Sequence, residues 1–441
     1  MRLVNQKHLV ILAIVLVAGS TLFLMAPRHQ ETPGIETNTE PGEEGGNPPV
    51  RIGVVSPTHV SDPVYRFLAR LAEDEINAYC NESGIDFRFE FVFGCAGGMA
   101  QGALDETRRL FELDANLSVG YGWSSQLCAS YNHFGEEHGM TVISTGSTSF
   151  ASCCRKEDRA FRLHPYDGEL LRPAALLISS LGATDVVVLQ RGDSWGDFIS
   201  EWFGEEFEDL GGRIASVIRY DGFIWFEPEE YEGNIKAFLE DAESALRDVV
   251  EEKGKESVAV LAASFDEMAQ ILSRAEEYPT LLEVAWFRPD LPSDPSAVMV
   301  MAPEAAAEVG LFGYRVHMPD NPVHRRIDEA FKAEFGEPLG FIEANLYDGC
   351  WIMALSVIEA NSTEGVDVCE ALPDVAASYS GVTGRCLLDE YGDRIEMDYD
   401  IWGYFEVEGE TRCLRCGLFN STTYSITWDE RMVRPTGGGD G

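Results

Sequence analysis

Two hydroxyl-rich turns stand where strands run into helices. Gly120-Tyr-Gly-Trp-Ser-Ser places Ser124 and Ser125 at the start of a helix, where free backbone N–H groups and hydroxyls suit a carboxylate. A plain helix-capping role for Ser124 is the alternative. Ser144-Thr-Gly-Ser-Thr-Ser follows the next strand and brings Ser147 and Thr148, so the two turns together make a polar cradle of anion size. Further along, Arg191-Gly-Asp-Ser-Trp-Gly sets Trp195 just after a strand, where an aromatic ring closes over an apolar ligand body or else fills a core. Ser264 and Phe265 end another strand and Asp290 the next, so a carboxylate could meet a ligand ammonium group there, unless Asp290 is only a surface residue of a proline-rich loop.

These residue types bind, and the candidates for chemistry fail on spacing. In His133-Phe-Gly-Glu-Glu-His138 the histidines stand five apart, whereas the zinc-binding HExxH pattern sets them about four apart on one helical face. No GxSxG elbow, Walker A loop or GxGxxG fingerprint follows a strand. Gly94-Cys-Ala-Gly-Gly lacks the third spaced glycine of a dinucleotide loop. Cys413 and Cys416 form a lone CxxC with no second zinc half-site and no thioredoxin-type βα unit before it, and read as a local disulfide or free thiols. No catalytic residue, metal or cofactor is expected.

The elements that must position these side chains alternate short apolar strands with amphipathic helices from Val50 onward, the pattern of a parallel sheet covered on both faces. Strands are predicted at Arg51–Val55, Phe87–Phe93, Leu117–Tyr121 and Thr141–Ser144, with helices between them over Pro63–Tyr79, Ala100–Leu113 and Ser124–Gly139. The rhythm restarts after Phe161-Arg-Leu-His-Pro-Tyr-Asp-Gly. Strands at Asp185–Leu189, Arg213–Arg219 and Ser257–Ala262 then alternate with helices at Leu170–Leu181, Trp195–Leu210 and Tyr231–Glu252. Two more helices follow near Val323–Phe335 and Ile342–Ala360, and C-terminal strands near Ile401–Val407. The expected fold is α/β, with two doubly wound lobes joined by a hinge of three crossings. The first lobe comprises 50–164 plus 291–384 and the second 165–290 plus 385–430, with the second crossing at Pro289–Pro295 and the third near Val382–Asp389. Such lobes leave a cleft lined by strand ends and helix starts.

Composition sets the surroundings. The 441 residues include 75 acidic and 33 basic ones, a formal net charge of -42, which repels nucleic-acid phosphates and anionic membrane surfaces. Arg2 and Lys7 precede an apolar run from Leu9 to Ala26, making residues 1–28 a signal or membrane-anchor segment. At about 18 residues the run is long for a signal and just enough for a spanning helix, and an uncleaved anchor is the preferred reading. Residues 29–49, rich in Pro, Gly and Glu, form a stalk that cannot bury a core, and 431–441 is a tail of similar character. Asn81, Asn116, Asn361 and Asn420 sit in glycosylation-type sequons. The ten cysteines are an even number compatible with disulfides outside the cell.

Taken in order, several short motifs resemble the type I periplasmic-binding-protein superfamily, in its leucine/isoleucine/valine-binding branch. They are Val142-Ile-Ser-Thr-Gly-Ser-Thr-Ser, Phe161-Arg with Asp167, Asp193-Ser-Trp-Gly, Phe265-Asp-Glu-Met-Ala-Gln and Gly384-Arg-Cys-Leu-Leu-Asp-Glu-Tyr-Gly-Asp. The resemblance spans about residues 50–410 and implies an extracytoplasmic solute-binding protein of an ABC transporter. Such a protein closes around a small ligand, an amino acid or a relative, and delivers it to a membrane permease. By the same resemblance Ser124, Ser147 and Thr148 hold the ligand carboxylate, Trp195 stands in place of the usual Tyr, and Ser264 or Phe265 forms a wall. Asp290 then meets the ligand ammonium, although the neighbouring Arg288 would favour an acidic ligand. An extracellular ligand-sensing receptor subunit that signals through a separate partner is the alternative the same fold allows.

Overall fold

A computed structural model describes residues 48–149, 156, 158–220, 228–265, 267–289 and 295–429. The apolar N-terminal run, the stalk to residue 47, Asp290 and the tail lie outside them. Near-continuous apolar strands build the first sheet: β1 (Val50–Ser56), β2 (Phe89–Cys95), β3 (Leu117–Gly120), β4 (Thr141–Ser144) and β5 (Ala160–Arg162), all parallel in the order β2-β1-β3-β4-β5. Such runs belong in a sheet covered on both faces. One face carries α1 (Asp62–Ser83), which opens with a proline in its first turn and ends on Gly84 at φ 68°. The other carries α2 (Ala100–Phe111) and α3 (Ser124–Phe134).

The second lobe follows with α4 (Leu171–Ser180), β6 (Asp185–Arg191), α5 (Ser194–Asp209), β7 (Arg213–Tyr220), α6 (Pro228–Lys253) and β8 (Val258–Ala263). It continues through α7 (Met268–Ala275), α8 (Pro279–Leu282), β9 (Ala285–Arg288), α9 (Ser296–Met301), α10 (Pro303–Glu308) and β10 (Phe312–Val316). The chain then returns to the first lobe with α11 (Pro322–Phe335), α12 (Phe341–Ala360) and α13 (Gly365–Ser378), whose apolar residues join the core beneath α1. Apolar on nearly every side, α12 is long enough to span a bilayer, yet 72% of its most apolar window is buried in this core. After the small ribbon β11 (Ser380–Gly381) and β12 (Gly384–Arg385), the antiparallel β13 (Tyr399–Val407), β14 (Glu410–Asn420) and β15 (Ser425–Trp428) complete the second sheet. Its order is β15-β14-β13-β10-β9-β8-β6-β7.

Two lobe boundaries differ from expectation. β9, α9, α10 and β10 all belong to the second lobe, because Phe312 pairs with Phe287 in a parallel register and both rings enter that lobe's core. The second crossing therefore lies at 317–321 and not at 289–295. Prolines announce a turn, and a turn within a lobe reads the same as one between lobes. The third crossing also comes later than Val382–Asp389. Asp393 still pairs with Arg162 beside the first sheet, and Met397 is the first residue buried in the second lobe's core.

The expected disulfides are not found among the described residues. Cys80, Cys95, Cys128, Cys350, Cys369, Cys386, Cys413 and Cys416 are all free thiols, while Cys153 and Cys154 lie outside those residues. Within the CxxC, Cys413 packs with the cluster under α6 and α7, whereas Cys416 is buried in the cluster under α4 and α5. They occupy opposite faces of one sheet, which a disulfide cannot bridge.

Candidate ligand-binding site

The first-lobe cradle is built from the ends of β3 and β4. Gly120 leaves β3 at φ 120°, where a Cβ would lie 2.3 Å from the Val55 carbonyl, and Tyr121 follows in the left-handed region at φ 49°. This sharp exit aims the chain into α3. Gly146 in the neighbouring turn lies so near the Gly122 carbonyl that a Cβ would stand 2.9 Å from it. The two turns therefore meet. The Ser147 hydroxyl donates to Ser124 Oγ at 3.0 Å, and the amides of Thr148 and Ser149 reach the same oxygen at 3.3 Å each. Below them Ser144 Oγ donates to the Tyr121 carbonyl at 2.9 Å and accepts from the Ser147 amide at 3.1 Å. Tyr65 and Thr145 share a hydrogen bond of 2.9 Å, and Asn345 of α12 holds the Thr145 carbonyl at 3.0 Å. Ser125 is exposed to solvent and stands apart from this hydrogen-bond network.

On the second lobe, Asp193 caps α5 by accepting from the Gly196 amide at 3.0 Å, which fixes Trp195 in the first turn. The indole stacks on Phe265 with ring centroids 4.4 Å apart, and the Arg191 guanidinium lies 4.1 Å over the other ring of this stack. Arg191 is held by Asp193 and by Glu267 at 2.9 Å. Phe265 remains 40% exposed and offers an open aromatic face. Ser264 does not. It is buried and shares a hydrogen bond of 2.7 Å with the Tyr220 hydroxyl, which donates its proton to Glu267 at 2.9 Å. Burial pushes the Tyr220 phenol far above its usual range, so it stays a neutral donor under the wall. Of the pair expected from sequence, Phe265 presents an exposed ring and Ser264 is buried beside it.

Asp167, in the turn after the first crossing, joins the two sets. Its amide donates to the Thr148 carbonyl at 2.9 Å, and its Oδ2 accepts from Trp195 Nε1 at 3.1 Å. Arg191, Glu267 and Tyr220 were also absent from the sequence-based site. Phe161-Arg with Asp167 had marked Asp167, and Glu267 lies within Phe265-Asp-Glu-Met-Ala-Gln, whereas Tyr220 carries no sequence signal, because its proximity is created by the sheet. Arg162 and Asp393, from two separately noted motifs, form a fully buried ion pair, and Arg162 also donates to the Tyr391 carbonyl. Among the described residues no group of three or more His, Cys, Asp or Glu is arranged to hold a metal.

Residues 69–405 match the family model described as the receptor family ligand binding region. An uncharacterized protein of Methanocaldococcus jannaschii is 23% identical over 380 residues, which cover 82% of this chain and 87% of that protein. Among solved structures, an ABC transporter substrate-binding protein from Desulfitobacterium hafniense in complex with Leu superposes with a TM-score of 0.64 at 20% identity, over 83% of this chain and 100% of that one. A leucine-binding protein from Thermotoga maritima gives a TM-score of 0.64 at 18% identity, over 85% and 99%. These structures share the fold described above, the type I periplasmic-binding-protein architecture.

Proposed function

The chain belongs to the receptor-family ligand-binding regions, and from that premise we propose that it is the extracytoplasmic solute-binding protein of an ABC transporter, taking up an amino acid or a close relative. The observation that carries this reading is the Asp167 bridge, which ties the first-lobe cradle to the second-lobe aromatic stack through two hydrogen bonds. A ligand carboxylate competes with Ser124 Oγ for the amides of Thr148 and Ser149, and its body rests on Trp195 and Phe265. Contacts from both lobes are what closure requires, since a ligand shifts a hinge only by binding the closed form better. Asp290 completes this site on the sequence argument, as acceptor for a ligand ammonium group. The protein binds without turnover and hands its ligand to a separate membrane permease. The body stands outside the cell, tethered by residues 9–26 or released if they are cut, a placement supported by the basic residues before that run.

A thermal-shift screen against amino acids, amides and small carboxylates tests the proposal. A ligand at 100 times its Kd stabilises the folded form by about 2.7 kcal/mol, which raises the melting temperature measurably. Silence across all three classes overturns the reading.

A further inference from the structure

Cations in the second lobe are matched with carboxylates almost one for one. Arg191 is paired with Asp193 and Glu267, Arg213 with Asp185, Arg219 with Asp197, and Arg415 with Asp400 and Asp429. Arg288 breaks the pattern. It is only 6% exposed, and among the described residues no hydrogen bond or ion pair involves it; its Nε is sealed from solvent without an acceptor. In a chain with 75 acidic and 33 basic residues, a shortage of carboxylates is not the explanation. A buried guanidinium without a counter-charge is costly to keep.

Its place in the fold gives the reason for keeping it. Arg288 ends β9 at the same edge of the parallel sheet where Arg191 ends β6 and Ser264 follows β8. In register it lies opposite Gly313 of β10, which has no side chain to fill the space beside it. Gly313 in turn pairs with Trp402, so Arg288 and Trp402 flank a bare backbone position. Among the described residues Trp402 Nε1 and Arg315 Nε are likewise buried without an acceptor, while the Arg315 guanidinium lies 4.2 Å over the Trp402 ring and reaches Cys413 Sγ at 3.7 Å. Trp286, Trp402 and Tyr404 pack with one apolar cluster, and alternation along β9 puts Arg288 on the face of Trp286. Three N–H donors on one sheet face thus lack acceptors among the described residues.

Building on the solute-binding reading, we propose that the ligand carries an anionic side group, a second carboxylate, and that Arg288 receives it as a two-pronged donor from the second lobe. The ligand class narrows to acidic amino acids and related dicarboxylates.

Calorimetric titration of the purified protein with L-glutamate, L-aspartate, succinate, L-leucine, sodium acetate and sodium chloride tests this. The acidic ligands bind, Arg288→Met weakens them about a hundredfold, and Arg288→Lys, which keeps the charge and loses the fork, falls between. Without ligand, Arg288→Met melts no lower than the parent, because it removes an unmatched buried charge; if that variant does not fold, the lysine variant alone decides. Leucine binding with no response to acidic ligands overturns the proposal and leaves amino-acid binding standing. Acidic ligands that bind equally well to both variants also overturn it, as does saturation by acetate or chloride alone, which makes the site one for free anions. If no amino acid or dicarboxylate binds, the solute-binding reading fails and this proposal with it.

Discussion

The longest hydrogen bonds in the first-lobe cradle are the ones a ligand can take over. Thr148 and Ser149 reach Ser124 Oγ at 3.3 Å, whereas the supporting Ser144 bond to the Tyr121 carbonyl is 2.9 Å. A carboxylate is the stronger acceptor, so on the proposed reading Ser124 holds the cradle in shape until a ligand replaces it. Ser124→Ala should therefore weaken ligand binding about tenfold, or about 1.4 kcal/mol, with little change in the melting temperature of the free protein; an unchanged Kd in calorimetry removes Ser124 from the site. A second residue reports on the hinge. His317 lies on the second crossing and bonds Asp400 at 3.0 Å, and this hydrogen bond holds its pKa above the ordinary 6.5. The folded protein thus keeps the proton more tightly than the unfolded chain. The stabilisation is fully present below pH 6.5 and is lost as the pH rises through the higher folded value. Melting temperatures recorded across that window should fall in the parent and fall less in His317→Gln; parallel curves would contradict this role.

Elements turned out to be easier to find than to assign. β1 through β4 and the helices around them lie within a few residues of their predicted spans, because period and apolar runs are local properties. β9 and β10 were harder to place, since which sheet a short apolar strand joins depends on pairing across distant parts of the chain. The same limit governs the CxxC. Its spacing allows a disulfide on paper, but β14 sends Cys413 and Cys416 into different clusters. Denaturing the unreduced protein and alkylating it should therefore label both residues, as seen by peptide mass; a mass lower by one bond on the peptide spanning β14 would refute the strand assignment.

Across the whole molecule, the first and third crossings are locked together by the buried pair of Arg162 and Asp393 and by Arg394. Arg394 donates from its amide to the Arg162 carbonyl at 3.1 Å and from its guanidinium to the Leu163 carbonyl at 3.3 Å, while the Thr383 hydroxyl and carbonyl hold it at 2.8 Å each. Removing one partner of a buried pair strands the other, so Arg162→Met should cost about 3–5 kcal/mol in denaturant unfolding; a loss under about 1 kcal/mol would mean that the hinge does not depend on this lock. By itself the sequence determined that the protein is a two-lobed α/β binder with hydroxyl turns at strand ends and an aromatic residue facing them, because strand ends, helix caps and apolar periodicity are written in consecutive residues. Only the tertiary structure decided that Asp167 bridges the lobes, that Ser264 is buried beneath Tyr220, that the second crossing waits until 317–321, and that Arg288 is buried with no partner among the described residues. Each of these depends on groups far apart in the chain, brought together by sheet register and burial, which no local pattern encodes.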